Sequence, residues 1–172
     1  MKRIVIEVRV PSIVVLVGVS GAGKSTFAAN LFARTEILSS DRCRALVADD
    51  ENDQSATADA FSLLLTMAGM RLKRGKLCVI DATNIWPEDR AKFVRLANEF
   101  ECPVSAIVFR TELSTCLERR RARYDRDIEE SAVMRQYEAL VAHVASLPLE
   151  GFAPIWYVRE GVIATGIEVR RM

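Results

Sequence analysis

A glycine-rich segment close to the N-terminus contains residues whose types and spacing suit phosphate binding. Its sequence, GVSGAGKS, matches the pattern GxxxxGK[ST] at every fixed position from Gly18 to Ser25. Glycines allow the backbone to curve around an anion with its N–H groups turned inward, and a following helix N-terminus adds partial positive charge. The pattern predicts that Lys24 contacts the β- and γ-phosphates of a nucleoside triphosphate, and that the Ser25 hydroxyl binds Mg²⁺. The residues expected to bind this donor are Gly18, Ser20, Gly21, Ala22, Gly23, Lys24, Ser25 and Thr26.

A second polar group, SSDRCR at residues 39–44, directly follows the second predicted strand of the core. The carboxyl ends of parallel strands line the ligand crevice in doubly wound sheets, so Asp41 and Arg44 are expected to face the phosphate loop. A carboxylate there could accept the proton of an attacking hydroxyl group. Arg44 could hold an anionic part of the acceptor. The residues alone leave open that Asp41 merely caps a helix beginning at Arg42.

A third group, DATN at residues 81–84, follows an apolar strand predicted at residues 76–81. An acidic residue after a hydrophobic strand is a Walker-B-like arrangement, so Asp81 is expected near the metal, directly or through water. Gln54, in a polar connection, is a candidate contact for an acceptor phosphate. Trp86 could stack on a base, although packing is the commoner role of such a residue.

A cluster of arginines follows the strand predicted at residues 104–109: Arg119, Arg120, Arg121, Arg123 and Arg126. On one continuous helix, Arg119, Arg123 and Arg126 would share a stripe. Arginines on a mobile lid could neutralise charge that develops on a transferred phosphoryl group. The alternative is a solvated basic helix face, which the nearby Asp125 and Asp127 favour for some members of the cluster.

These groups require a framework of alternating strands and helices. Apolar and alternating runs predict strands at residues 3–10, 13–17, 36–39, 76–81, 104–109 and 155–158. Helical spacing predicts helices at residues 24–33, around 61–72, from Pro87 to about 100, at 113–123 and at 128–145. This alternation predicts a three-layer α/β fold with a mostly parallel central sheet, as one domain over residues 1–172. Together with the phosphate loop and the arginine cluster, it predicts a P-loop phosphotransferase with a helical lid. An alternating stretch after Val162 is not assigned to any element.

Composition bounds the class of protein. The chain has 172 residues, of which 50% are hydrophobic and 27% charged, and its formal net charge is +1. These values are ordinary for a soluble globular protein and do not favour a nucleic-acid-coating or membrane-binding surface. No apolar run reaches 18 residues and no signal-peptide pattern precedes the first strand, so we expect a cytoplasmic protein without membrane contact. The four cysteines are scattered, which indicates reduced thiols, and His143 is expected at the surface or half-buried.

Several classes of P-loop protein lack support in this sequence. It contains no NKxD, DxxG or LSGGQ motif, which argues against a regulatory GTPase and an ABC ATPase. Small kinases and related nucleotide hydrolases remain. Two alternatives stay open beside a polynucleotide kinase: a small-metabolite kinase of the same fold, and a nucleotide-binding regulatory module. A mere binder would not need Asp41 at the acceptor position.

Four segments together carry a family resemblance. GVSGAGKSTFA, ILSSDRCRALVADDENDQ, VIDATN and LERRRARYDR, in this order within residues 12–158, resemble the 5′-kinase domain of bacterial polynucleotide kinase–phosphatase (Pnkp). The resemblance implies transfer of the γ-phosphoryl group of ATP or another NTP to the 5′-OH end of RNA or DNA, with Mg²⁺, in end healing and repair. It implies that Asp41 is the general base. It also implies that Arg44, helped by Gln54, contacts the acceptor's phosphate backbone.

The same resemblance assigns the donor side of the site. Lys24 and Ser25 would hold the triphosphate and the metal, and Arg119 and Arg123 would clasp the donor phosphates. The family's kinase is followed by phosphatase and ligase domains, whose GDxHG and KxDG motifs do not occur here. We therefore expect a kinase domain excised from a larger protein, with a free-standing enzyme as the alternative. A near-neutral charge suits an enzyme that grips only the terminal nucleotides of its substrate.

Overall fold

The computed structural model describes residues 4–122, 129–159 and 166–172. The strands in these residues are β1 Ile4–Val8, β2 Ile13–Val17, β3 Ile37–Ser39, β4 Cys78–Asp81, β5 Val104–Arg110, β6 Ile155–Arg159 and β7 Ile167–Arg171. The helices are α1 Lys24–Leu31, α2 Ser40–Ala48, α3 Thr57–Lys73, α4 Pro87–Glu99, α5 Leu113–Arg121 and α6 Glu130–His143. Short 3₁₀ turns cover Gln54–Ala56 and Val144–Ser146. None of the described helices combines the length and apolar character needed to cross a membrane.

The central sheet has five strands in the order β3-β4-β2-β5-β6, and each pairing is parallel. All five residues of β2 and all four of β4 are buried. Because successive side chains of a strand point to opposite faces, complete burial means that both faces of the sheet are covered. The predicted three-layer α/β architecture is therefore confirmed. The helices that bury the sheet come from the amphipathic segments between the strands.

The strand order decides which loops meet. β2 lies at the centre; β4 and β3 extend the sheet on one side of it, and β5 and β6 on the other. Ser39 at the end of β3 is in register with Asp81 at the end of β4. The segments that follow β2, β3 and β4 therefore lie side by side at one edge of the sheet, where ligands bind in this class of fold.

The first and last strands form a separate small sheet. β1 pairs in parallel with β7, with Ile4 opposite Ile167. The prediction of a strand at residues 3–10 is correct, and its partner is the alternating stretch that the sequence left unassigned. Ile6 and Val8 of β1 join the hydrophobic core. Arg171 of β7 pairs with Glu36 just before β3 at 2.6 Å, which fastens this sheet to the central one.

Helix ends differ modestly from the prediction. α1 ends at Leu31 instead of residue 33, because Phe32 has extended backbone angles. The helix predicted at 113–123 ends at Arg121 within the described residues, and the helix predicted at 128–145 spans Glu130–His143 before a 3₁₀ turn. The four cysteines are free thiols; Cys43, Cys78 and Cys116 are buried, and burial raises the pKa of Cys78 to about 11.

Candidate active site

The phosphate loop has the backbone geometry that its glycines predict. Gly21 and Gly23 have φ angles of 84° and 95°, in the left-handed region that favours glycine, and Gly23 is the N-cap of α1. A Cβ atom on Gly21 would lie 2.6 Å from the carbonyl oxygen of Cys116 in α5. Glycine is therefore required at position 21 both by its backbone angles and by the close approach of the next helix.

Lys24 lies folded across the loop. Its Nζ donates hydrogen bonds to the carbonyl oxygens of Gly18 at 2.7 Å and Val19 at 2.9 Å, and the residue is only 8% exposed. The hydroxyl of Thr111, just after β5, donates to the carbonyl of Ala22 at 3.0 Å. These contacts hold the loop and its ammonium group in a fixed position beside the open side of the cleft.

The loop after β4 is tied to the phosphate-loop strand. Asn84 has a φ of 49°, and its Nδ2 donates to the carbonyl of Leu16 in β2 at 2.8 Å. The N–H of Gly18 donates to the carbonyl of Thr83 at 3.0 Å. Asp81, which precedes this loop, is buried and ends the strand that pairs with the phosphate-loop strand. This is the position that a Walker-B-like arrangement predicts.

Arg90 supports this loop and was not among the predicted site residues. It is completely buried in α4, and its Nη1 donates to the carbonyls of Asn84 at 3.1 Å and of Ile85. Its Nε and Nη2 donate to the two carboxylate oxygens of Glu150 at 2.7 and 2.5 Å. The sequence did contain a signal, because Arg90 lies three and seven residues before Phe93 and Ala97, on the buried face of the same helix.

Glu150 is the counter-charge that this buried arginine requires. Burial alone would raise the pKa of the Glu150 carboxyl, but hydrogen bonds from Arg90 and Ser146 and the positive charge of Arg90 outweigh burial and lower that pKa. The Ser146 hydroxyl is 2.5 Å from the carboxylate. The carboxylate is therefore ionised at neutral pH and neutralises Arg90.

Asp41 and Arg44 meet at the start of α2. This helix begins at Ser40, and the side chain of Ser39 caps it by accepting from the N–H of Arg42 at 3.4 Å. The alternative that Asp41 is only the helix cap is therefore wrong. Instead, Asp41 Oδ1 accepts a hydrogen bond from Arg44 Nη1 at 2.9 Å.

Arg44 spans two chain segments with one guanidinium group. The same Nη1 also donates to the carbonyl of Glu51 at 2.6 Å, while Nε is buried and has no hydrogen-bond partner among the described residues. Contacts with both Asp41 and Glu51 fix the position of the guanidinium. Arg44 lines the cleft, and the two N–H donors of its Nη2 are not used by these contacts, so an anionic acceptor group could bind there.

A cleft of about 1140 Å³ brings most of the predicted residues together. Its lining includes Ser20, Gly21, Gly23, Lys24, Ser25, Thr26, Asp41, Arg44, Gln54, Asp81 and Arg119. Gly18 and Ala22 belong to the phosphate loop but are buried, so they do not line the cleft. Arg123 lies outside the described residues, as do Asp125, Arg126 and Asp127. Phe61, Asp89, Arg135 and Gln136 also line the cleft and were not predicted.

The lid helices, α5 and α6, form one wall of this cleft. Arg119 of α5 donates from Nη1 to the carbonyl of Gly21 at 3.3 Å. Gln136 of α6 accepts the N–H of Ser20 through Oε1 at 2.9 Å. Arg121 instead makes an exposed ion pair with Glu130 at 2.7 Å, and this hydrogen bond lowers the pKa of the Glu130 carboxyl. Within the described part of the arginine cluster, Arg119 therefore contacts the phosphate loop, whereas Arg121 lies on a solvated face.

The oxygen donors of the cleft suit the divalent metal that a P-loop implies. The Ser25 hydroxyl and the Asp81 carboxylate line the same space, and Mg²⁺ is commonly held by one or two such groups together with substrate phosphates and water. Among the described residues, no group of three or more His, Cys, Asp and Glu side chains could hold a metal alone. A magnesium ion held by Ser25 and Asp81 would offset the charge of the nucleotide phosphates.

Comparison with known proteins agrees with this geometry. The family model described as "AAA domain" matches residues 13–146. The chain belongs to this family. No curated protein matches it.

Solved structures share the fold at low sequence identity. A chain in the structure of the Pnkp1/Rnl/Hen1 RNA repair complex superposes with a TM-score of 0.68 at 24% identity, over 81% of this chain and 47% of that one. Kti12 from Chaetomium thermophilum, in complex with ADP-AlF3, has a TM-score of 0.67 at 16% identity, over 87% of this chain and 89% of that one. A gluconokinase from Sinorhizobium meliloti has a TM-score of 0.53 at 19% identity, over 90% and 85%. The chain spans about half the length of the Pnkp1 complex chain and has a P-loop kinase-type fold.

Proposed function

We propose that this chain is an ATP-dependent polynucleotide 5′-hydroxyl kinase that acts in nucleic-acid end healing and repair in the cytoplasm. The observation that carries the proposal is the pair of Asp41 and Arg44, which lines the same cleft as Lys24 and Ser25. Phosphoryl transfer to a hydroxyl group requires a base for the hydroxyl and cationic groups for the donor phosphates within one cleft. The phosphate loop alone would serve any nucleotide-binding protein.

The described side chains divide the work of in-line transfer. Asp41 accepts the proton of the 5′-hydroxyl as its oxygen attacks the γ-phosphorus and the bond to the β-phosphate oxygen breaks. Arg44 binds the phosphate that follows the terminal nucleoside, with Gln54 beside it. Lys24 and Arg119 stabilise negative charge on the transferred group. The family resemblance implies the same role for Arg123, which lies outside the described residues. Mg²⁺, held by Ser25 and Asp81, would supply further positive charge at the donor phosphates.

The nucleic-acid acceptor is the finer part of the proposal. Its support is the ordered match of four sequence segments to bacterial Pnkp, together with the fold shared with a chain of the Pnkp1/Rnl/Hen1 RNA repair complex. Because this chain spans 47% of that one, we propose that residues 1–172 are the kinase domain of a larger protein with phosphatase and ligase domains.

A small-molecule kinase is the second candidate. The superposition on a gluconokinase, which extends over 85% of that enzyme, favours it, since the base and the phosphate loop would look alike. A nucleotide-binding regulatory module is a third candidate, and Asp41 argues against it. The identity of the acceptor therefore has to be tested directly.

Label transfer from [γ-³²P]ATP to a short 5′-OH oligonucleotide, with Mg²⁺, tests the proposal. We expect label on the 5′-OH strand and none on a 5′-phosphorylated copy or on free nucleosides and sugar acids. Asp41→Asn should lower transfer at least about 100-fold while ATP binding, measured by calorimetry, persists. Asp59→Asn, which changes an exposed carboxylate on α3, is the matched control. Label on a sugar acid alone would establish the second candidate, and nucleotide binding without any transfer would favour the third.

A further inference from the structure

Trp86 occupies an unusual position for a tryptophan. It is the N-cap residue of α4, is 41% exposed, and lines the cleft that contains the phosphate loop. About two fifths of this large aromatic side chain faces solvent, so an aromatic surface is left open to a ligand. The cleft continues past Trp86 into a second cavity of about 510 Å³, which Arg135 and Gln136 also line. An indole surface therefore faces solvent at the junction of the two spaces.

The backbone and the ring of Trp86 are both held in place. Its carbonyl accepts the N–H groups of Asp89 at 3.1 Å and Arg90 at 3.2 Å. The His143 ring packs against the indole, with centroids 5.6 Å apart and planes tilted by 55°. The carbonyl of His143 is in turn 3.4 Å from the buried Arg90 guanidinium. A platform that is ordered before its ligand arrives loses little conformational freedom on binding.

The topology assigns Trp86 to the acceptor side of the cleft. It follows β4, and Asp41 follows β3, so both lie on the same side of the phosphate-loop strand β2. The lid helix α5 follows β5, which lies on the opposite side. Asp41 and Trp86 also line the same cleft, so an acceptor whose 5′-oxygen reaches Asp41 has the Trp86 indole available to its base. The donor phosphates would lie over the phosphate loop, which follows the neighbouring strand β2.

We propose that the indole of Trp86 is the stacking platform for the nucleobase of the acceptor's 5′-terminal nucleotide. This inference rests on the proposed polynucleotide kinase function and names a recognition element for its substrate. Every nucleobase has an aromatic face, so stacking would bind the terminal nucleoside without selecting one base. The enzyme then accepts all four terminal bases with similar efficiency. It also discriminates against acceptors that lack an aromatic group.

Steady-state kinetics with matched acceptors test the platform. Trp86→Leu should raise KM for a 5′-OH oligonucleotide about tenfold, the size of one base–aromatic contact. Trp86→Phe, which keeps an aromatic ring, should raise it about threefold or less. On an oligonucleotide whose 5′-terminal nucleotide is abasic, the penalty of Trp86→Leu should fall to about twofold or less, because no base remains to stack. KM for ATP should rise less than twofold in either variant.

Fluorescence gives a readout that does not depend on catalysis. The chain has two tryptophans, so Trp156→Phe leaves Trp86 as the only indole. The 5′-OH oligonucleotide, added without ATP, should quench its emission, and the abasic-ended oligonucleotide should quench it much less. Melting temperatures of the Trp86 variants would identify any loss through misfolding.

The outcomes separate this inference from the function on which it depends. If the wild-type enzyme phosphorylates the oligonucleotide but Trp86→Leu weakens base-bearing and abasic acceptors equally, the platform is refuted and the kinase function stands. A rise in KM for ATP alone would place the donor base at Trp86 and would also overturn the inference. If the wild-type enzyme phosphorylates no oligonucleotide, the proposed function fails and the platform fails with it.

Discussion

The wall of the cleft behind the phosphate loop is held by buried side chains, whereas the lid wall contacts the same loop through more exposed ones. Asn84 and Arg90 are 2% and 0% exposed, and they connect β4, β2, α4 and the segment before β6. Arg119 is exposed and Gln136 is half-buried, and both hydrogen-bond to the loop backbone. The first wall is therefore part of the buried network of the fold, whereas the polar contacts of the second wall are open to solvent.

This difference predicts where mutations act. Removal of one partner from a buried, charged network leaves a desolvated group without compensation, which costs much more than the loss of an exposed contact. Substitutions behind the loop should lower the stability of the whole protein. Substitutions in the lid should leave stability unchanged and act on the donor phosphates instead.

The largest effect is expected at Arg90. Arg90→Met should lower the free energy of unfolding by about 3–5 kcal/mol, because it removes the buried charge that neutralises half-buried Glu150 and the hydrogen bonds to the loop carbonyls. For a protein of this length the melting temperature should fall by roughly 6 °C or more. Arg95→Met, on an exposed position of the same helix, is the matched control and should shift it by about 1 °C or less. Thermal unfolding followed by circular dichroism checks both, and equal shifts would contradict the buried-wall account.

Glu150 makes the same network dependent on pH. Its pKa is lowered in the folded protein, so its ionisation stabilises the fold above the ordinary carboxyl pKa of 4.5. This contribution is lost as the pH falls through the folded pKa, where the carboxylate takes up a proton. The stability difference between the wild-type protein and Glu150→Gln should therefore be largest at neutral pH and shrink below about pH 4.5. Urea unfolding at pH 7 and pH 4 measures it.

Arg119 tests the opposite wall. Arg119→Ala should lower kcat/KM for phosphoryl transfer about 100-fold, because it removes a positive charge beside the transferred group, while the melting temperature stays within about 1 °C. Arg121→Ala, two residues further on, removes a charge that is paired with Glu130 on an exposed face. It should change kcat/KM less than about threefold. Similar losses in both variants would mean that the helix acts only through its net charge.

Asn84 gives a smaller effect that separates backbone strain from hydrogen bonding. Asn84→Ala should cost about 2 kcal/mol, because it loses the bond to Leu16 and because alanine tolerates a φ of 49° less well than asparagine. Asn84→Gly also loses the bond but adopts this φ freely, and should cost about 1 kcal/mol less. Urea unfolding of the two variants gives the difference. A glycine variant less stable than the alanine variant would exclude backbone strain as the cause.

Local patterns were sufficient to predict the framework and many of the residues that line the candidate cleft. The apolar run of β2 predicted a strand buried on both faces, and the glycine spacing before Lys24 predicted the loop, because each feature depends on neighbouring residues. Asp41 and Asp81 were found because the ends of parallel strands converge. Their presence in one cleft follows from the strand order.

The missed features depend on contacts between distant parts of the chain. Helical spacing places Arg90 on the buried face of α4, but its partner Glu150 lies 60 positions later and cannot be assigned from that spacing. Gln136 contacts Ser20 across 116 positions, and no local pattern marks it. The alternation of apolar and polar residues in β7 is weak, and the strand is recognised only through its pairing with β1. Local sequence patterns therefore did not identify the remote partners of buried charges or of paired strands.

The smallest effect is expected at Gln136, and a second glutamine, Gln54, provides the comparison for it. Gln136→Ala removes one hydrogen bond between the lid and the loop, which should cost about 1 kcal/mol of donor binding and raise KM for ATP about fivefold. Gln54 lines the acceptor side of the cleft, where its Nε2 donates to the carbonyl of Asn52 at 3.2 Å. Gln54→Ala should instead raise KM for the acceptor and leave KM for ATP unchanged.

Kinetics of the two variants, with each substrate varied in turn, give four KM values. A crossed pattern, with each glutamine affecting one substrate, means that the lid wall serves the donor and the opposite wall the acceptor. If Gln136→Ala lowers KM for ATP, the bond to Ser20 competes with the nucleotide, and the lid must leave the loop before ATP can bind. The division of the cleft would then stand, but the lid contact would restrain binding instead of supporting it.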